Sequence, residues 1–124
     1  MAAGDNTYKE SDGMAVHMDL VAAVEKGQVI YVDGWVGIAA DGGQSGESVA
    51  LTIDQAEYQF TVPAALAVSK GDTVYIDTAQ VTGHIPDEGG YSTTPGAGLL
   101  PLFRATGDKD ANNVVTGILL SKLV

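Results

Sequence analysis

The chain has 124 residues, enough for one core, and its 16 acids against 6 bases give a formal charge of −10. Lys9, Lys26, Lys70, Arg104, Lys109 and Lys122 are scattered singly. Without a basic patch to displace counterions from phosphate, neither nucleic acid nor an anionic membrane is expected as a partner.

The first segment, Met1 to Gly13, is polar and reads as an extended amino-terminal arm. It has no basic stretch followed by an apolar run, so no secretory signal is expected. The absence of Cys excludes disulfides and suits synthesis in a reducing cytoplasm. Tyr8 stands out in the arm, because an aromatic with almost no apolar neighbours has no core to join unless the arm docks on something.

From Met14 the pattern changes. Met14, Val16, Met18 and Leu20 alternate with Ala15, His17 and Asp19, the period of a strand with one buried face. The segment from Ala23 to Asp33 then returns 44 residues later, from Ala67 to Asp77, with Ala, Val, Lys, Gly, Tyr and Asp in the same places. Each copy reads as a Lys-Gly turn releasing a strand, and the two are expected to be equivalent units in one sheet system. Asp33-Gly34, between Val29–Val32 and Trp35–Ala39, predicts a two-residue hairpin.

Asp41 to Gly46 reads as a turn, Ser48 to Ile53 as a strand, and Tyr58, Phe60 and Val62 as the apolar face of another strand ended by Pro63. Ala64 to Val68 predicts a short helical turn. Gln80 to Thr82 predicts a short strand, and Gly83 to Gly98, rich in Gly and Pro, a long surface loop. Leu99 to Thr106 and Val114 to Leu123 read as a closing hairpin with a polar tip. The sum is an all-β fold, a small β-sandwich or barrel of about eight or nine short strands, with a single β domain over residues 14–124 behind the 1–13 arm.

Chemistry is sought and not found. Only His17 and His84 could serve as bases, neither lies in a motif, and both are expected as plain surface residues. No zinc set is present, and Asp108-Lys109-Asp110-Ala111-Asn112 fails as a calcium loop because Asn113 and Leu119 stand where Gly and Glu are required. Adjacent Asp87 and Glu88 read as solvated. The expectation is no catalytic residue, no metal and no cofactor.

The order of Val24-Glu25-Lys26-Gly27, Gly34-Trp35-Val36-Gly37-Ile38-Ala39, Gly46-Glu47, Tyr58-Gln59-Phe60-Thr61-Val62-Pro63, Lys70-Gly71-Asp72-Thr73-Val74-Tyr75-Ile76-Asp77 and Val115-Thr116-Gly117-Ile118-Leu119-Leu120 resembles the small capsid cement proteins of bacteriophages. The resemblance implies a head decoration protein on the outer capsid surface of the virion. Its expected partners are the major capsid protein and itself, as a homotrimer or, alternatively, a dimer. In that reading Asn6, Thr7, Tyr8 and Lys9 contact the capsid, and strand faces near Trp35, Val36 and Ile38 form the protomer interface. The alternative is a phage tail or baseplate domain that binds host carbohydrate through the His84–Gly98 loop, with Tyr91 stacking on the sugar.

Overall fold

A computed structural model describes residues 14–120; the expected arm, with Asn6, Thr7, Tyr8 and Lys9, and residues 121–124 lie outside the described residues. Eleven strands are present among the described residues: β1 (Ala15–Asp19), β2 (Val29–Val32), β3 (Trp35–Ala39), β4 (Ser48–Thr52), β5 (Glu57–Thr61), β6 (Thr73–Asp77), β7 (Val81–Thr82), β8 (Ile85–Pro86), β9 (Tyr91–Ser92), β10 (Leu99–Ala105) and β11 (Val114–Leu119). The fold is all-β, as expected, and the strands beyond the expected count are two-residue pieces within 83–98. One sheet has the order β1-β4-β3-β2, another β5-β11-β10-β6-β9, and β7-β8 form a small third.

Two apolar clusters hold these layers. The first lies between the large sheets, where Val36 from β3 meets Phe60, Val74, Ile76, Phe103, Val115 and Leu119, with Val29, Tyr31 and Ile38 packed against it. The second joins Ile30, Val32 and Ala39 to Met18, Val49 and Leu51, and is closed by Leu20, Val24, Ile53 and Ile85. The β2–β3 hairpin thus has core on both faces. Its Val29-Ile30-Tyr31-Val32 run is continuously apolar for that reason, whereas β1, with one outward face, alternates.

The stacked rings of Phe60 and Phe103, 4.1 Å between centroids and 5° between planes, mark the centre of the first cluster. They belong to β5 and β10, the neighbours of β11 on either side. Gly117, in β11 between them, makes the reach possible: a methyl there would overlap the Phe103 ring and lie 2.8 Å from the Arg104 carbonyl.

The Lys-Gly repeat marks a real structural unit, a turn that occurs three times among the described residues, twice with Lys-Gly. In Glu25–Gln28, Gln44–Glu47 and Ser69–Asp72 the third residue is a Gly at φ +88°, +90° and +94°, a region an L side chain resists. In each, the side chain of the fourth residue accepts from the backbone N–H of the first: Gln28 from Glu25 at 2.8 Å, Glu47 from Gln44 at 2.6 Å, Asp72 from Ser69 at 2.9 Å. The turns launch β2, β4 and β6. The two copies visible in the sequence fall in different sheets, not one, and the third shares little beyond its Gly and an acceptor.

Ala64 to Val68 holds a hydrogen-bonded turn, not a helix, closed by Leu66 N–H to Pro63 O at 3.1 Å. The Lys109 ammonium at the β10–β11 tip donates to the carbonyls of Pro63, Ala64 and Leu66, and so satisfies oxygens that a helix would have bonded internally.

Candidate functional site

The two histidines differ in a way the sequence hid. His17 is exposed, as expected. His84 is not a surface residue: it is 5% exposed, the buried polar side chain of the core. Its Nε2 accepts from Val21 N–H at 3.0 Å, its Nδ1 lies 3.3 Å from the Tyr31 carbonyl, and its own carbonyl accepts from Tyr31 N–H at 2.8 Å. That set fixes the neutral tautomer with the proton on Nδ1. The ring ties the chain after β1 to β2, and the tie pulls residues 83–92 onto the body. Pro86 and Gly90 are buried as well, so much of the expected surface loop is structured, with exposed runs at 87–89 and 94–98.

The acids of the hairpin tip are engaged with backbone. Asp108 Oδ1 accepts from Lys70 N–H at 2.8 Å, and Asp110 Oδ1 from the N–H groups of Asn112 and Val114 at 2.8 and 2.9 Å. Among the described residues no three His, Cys, Asp or Glu side chains gather as a metal site, and no helix is long and apolar enough to cross a membrane.

Of the expected interface residues, Trp35 presents itself to solvent, 41% exposed beside the hairpin turn. Val36 does not: its side chain is 3% exposed and packs in the protein's own first cluster. Ile38 is half-buried against the same cluster. The alternation within β3 turns Trp35 away from the face that carries Val36. Tyr91, the stacking residue of the carbohydrate reading, packs against the first cluster and lines a recess of about 230 Å³ with Val29, Ile38 and Phe60. Burial raises its phenol pKa above the ordinary value; the Tyr58 phenol is also raised, by desolvation and then by the charge of Asp54.

One surface feature was missed by sequence reasoning. A groove of about 620 Å³ on the outer face of the five-stranded sheet is lined by Gln55, Lys70, Arg104, Ala105, Ile118 and Leu120. Register explains the assembly. Arg104 stands opposite both Ile118 and Thr73, and Gly71 N–H donates to Ala105 O at 2.8 Å, which brings Lys70 beside the end of β10. The two cations are 34 positions apart in the chain, and only the β6–β10 pairing joins them.

A compact all-β body without a metal cluster among the described residues, with an exposed Trp and an apolar groove edged by cations, has the anatomy of a protein that docks on proteins. The comparison with protein families agrees. Residues 9–120 match the model of the phage cement proteins, so the chain belongs to that family, and its role is capsid decoration as a structural protein of the virion. No curated protein and no solved structure gives a significant match. The match begins at Lys9; Asn6, Thr7 and Tyr8 precede it.

Proposed function

We propose that the protein, made in the host cytoplasm, binds the outer capsid surface as a homotrimer and holds neighbouring major capsid subunits together without catalysing a reaction. The observation that carries this reading is the family match across residues 9–120. Asn6 to Lys9 are assigned to the capsid contact, since an arm of 13 residues reaches about 43 Å when extended and its backbone can add a strand to an exposed sheet edge. Trp35 is assigned to the protomer contact because its side chain is the exposed one of the three expected there.

Cement action then follows from mass action. A ligand that binds the assembled shell and not free subunits stabilises assembly by about 2.7 kcal/mol per site at 100 times its dissociation constant. Deletion of residues 1–12 is expected to leave a folded oligomer by light scattering that no longer cosediments with particles lacking cement. Full occupancy by the truncated protein would remove the arm from the account.

A further inference from the structure

The groove on the five-stranded sheet is charged against the trend of the molecule. Of the four Lys and Arg among the described residues, Lys109 is committed to three carbonyls, Lys26 lies on a turn, and Lys70 and Arg104 both line this groove. Among the described residues neither of their charged groups has a carboxylate partner, in a chain of 16 acids. The acids at the groove rim are engaged by other donors: Asp108 by the backbone N–H of Lys70 at 2.8 Å, Glu57 by the hydroxyl of Thr106, which also lines the groove, at 2.7 Å, and Asp72 by Ser69 N–H at 2.9 Å.

An exposed cation alone signifies little, since water solvates it well. Here both converge on an apolar floor. Ile118 and Leu120 lie on the outer face of the sheet, while Leu119 between them is buried in the core. A guanidinium beside half-buried aliphatic carbon matches a partner segment that sets a carboxylate next to an apolar side chain, because the planar fork takes both carboxylate oxygens at once.

Position names the partner. The Met14 carbonyl, at the root of the arm, accepts from Ile53 N–H at 2.9 Å, and Gln55 of the groove follows two residues later, within about 7 Å of chain. The arm root therefore adjoins the Gln55 edge of the groove. We propose that this groove is the seat of the protein's body on the shell, and that it takes a carboxylate-bearing, partly apolar segment of the capsid protein beside the arm's contact. The proposal rests on the cement reading and adds to it a second, charge-selective contact. Protomer contact is already assigned to Trp35, which needs no charge.

The test mixes cement-free capsid particles with wild-type protein, K70E, R104E, the double variant and R104K, and reads bound copies by sedimentation from about 50 to 500 mM NaCl. Wild-type affinity should fall as salt rises. Each reversal should weaken binding at low salt by about tenfold or more, the double variant further and with a flattened salt response, and R104K should retain most of the binding. Control K26E, an exposed cation outside the groove, should bind as wild type. Thermal melts check folding, and the neutral variants K70Q and R104Q, which add no carboxylate beside Asp108, Asp72 or Glu57, should melt as wild type and still bind more weakly.

If wild type binds but the double variant binds equally well, the groove is not the seat. If the double variant instead changes mass by light scattering, the groove holds a second copy and the proposal fails. If wild type itself ignores particles, the cement reading fails, and that result is distinct from the other two.

Discussion

Replacing His84 by Phe keeps a ring of similar size in the same buried place and removes both nitrogens. Val21 N–H then loses its 3.0 Å acceptor, and the Tyr31 carbonyl loses the Nδ1 donor 3.3 Å away. A buried donor left unsatisfied costs about 1–3 kcal/mol, and the loss of an ordinary hydrogen bond about 1 kcal/mol. Val21 is itself 76% exposed, so water can reach part of that site and the lower half of the range applies. The expected loss is about 2–3 kcal/mol, near 1–2 M in the urea midpoint at an unchanged slope. Urea unfolding at fixed protein concentration checks it, with His84→Ala as the control that also removes the ring. Amide exchange should accelerate first at Val21 and Tyr31, the two residues the ring joins. If H84F matches wild type within about 0.5 kcal/mol while H84A is strongly destabilised, the ring acts by packing alone and the hydrogen-bond argument is wrong.

Gly117→Ala should destabilise by about 1–3 kcal/mol, although Ala in a strand otherwise gains about 0.5–1 kcal/mol over Gly, because the new methyl overlaps the Phe103 ring. Near-ultraviolet circular dichroism should report loss of the Phe60–Phe103 stack; an unchanged spectrum and midpoint would show that β11 can shift away. The raised Tyr91 pKa fixes a second sign: the neutral phenol's contribution is fully present below the unfolded value of 10.0 and is lost as pH rises through the folded value. Absorbance titration at alkaline pH should show one late tyrosinate fewer in Tyr91→Phe than in wild type, the late one that remains being Tyr58, and an unchanged late amplitude in the variant would assign the shift to other residues.

Strands and turns were legible where one residue type has one local meaning. Asp33-Gly34 made the expected hairpin, with both residues at positive φ, 49° and 87°. The closing hairpin of β10 and β11 likewise followed from two apolar runs around a polar tip. The third copy of the turn was hidden, because its conserved content is a backbone angle and an acceptor, supplied here by Gln44, Gly46 and Glu47 rather than by Lys-Gly. His84 was misread for a similar reason. Composition placed it in a Gly-rich loop, and nothing local announces that a ring will bridge Val21 and Tyr31, 63 and 53 positions away. Val36 was expected with Trp35 and Ile38 at a protomer interface, but the β2–β3 hairpin lies between two clusters and Val36 belongs to the first of them.

Those long-range pairings also govern how a small acidic body can hold a shell. In the proposed arrangement the arm and the groove are two modest contacts, but Met14 and Ile53, at the end of the paired strands β1 and β4, are joined by a backbone hydrogen bond of 2.9 Å. Once the groove is seated, the arm searches a volume set by its own length, so its second contact forms at high effective concentration. Loss of either contact should then cost more than its isolated affinity. The net charge of −10 supplies the complement: it repels particles from one another, while the unpaired Lys70 and Arg104 give one face an orientation toward acidic partners. Decoration would thus be directional before any apolar surface is buried, with the groove choosing the face and the arm adding hold.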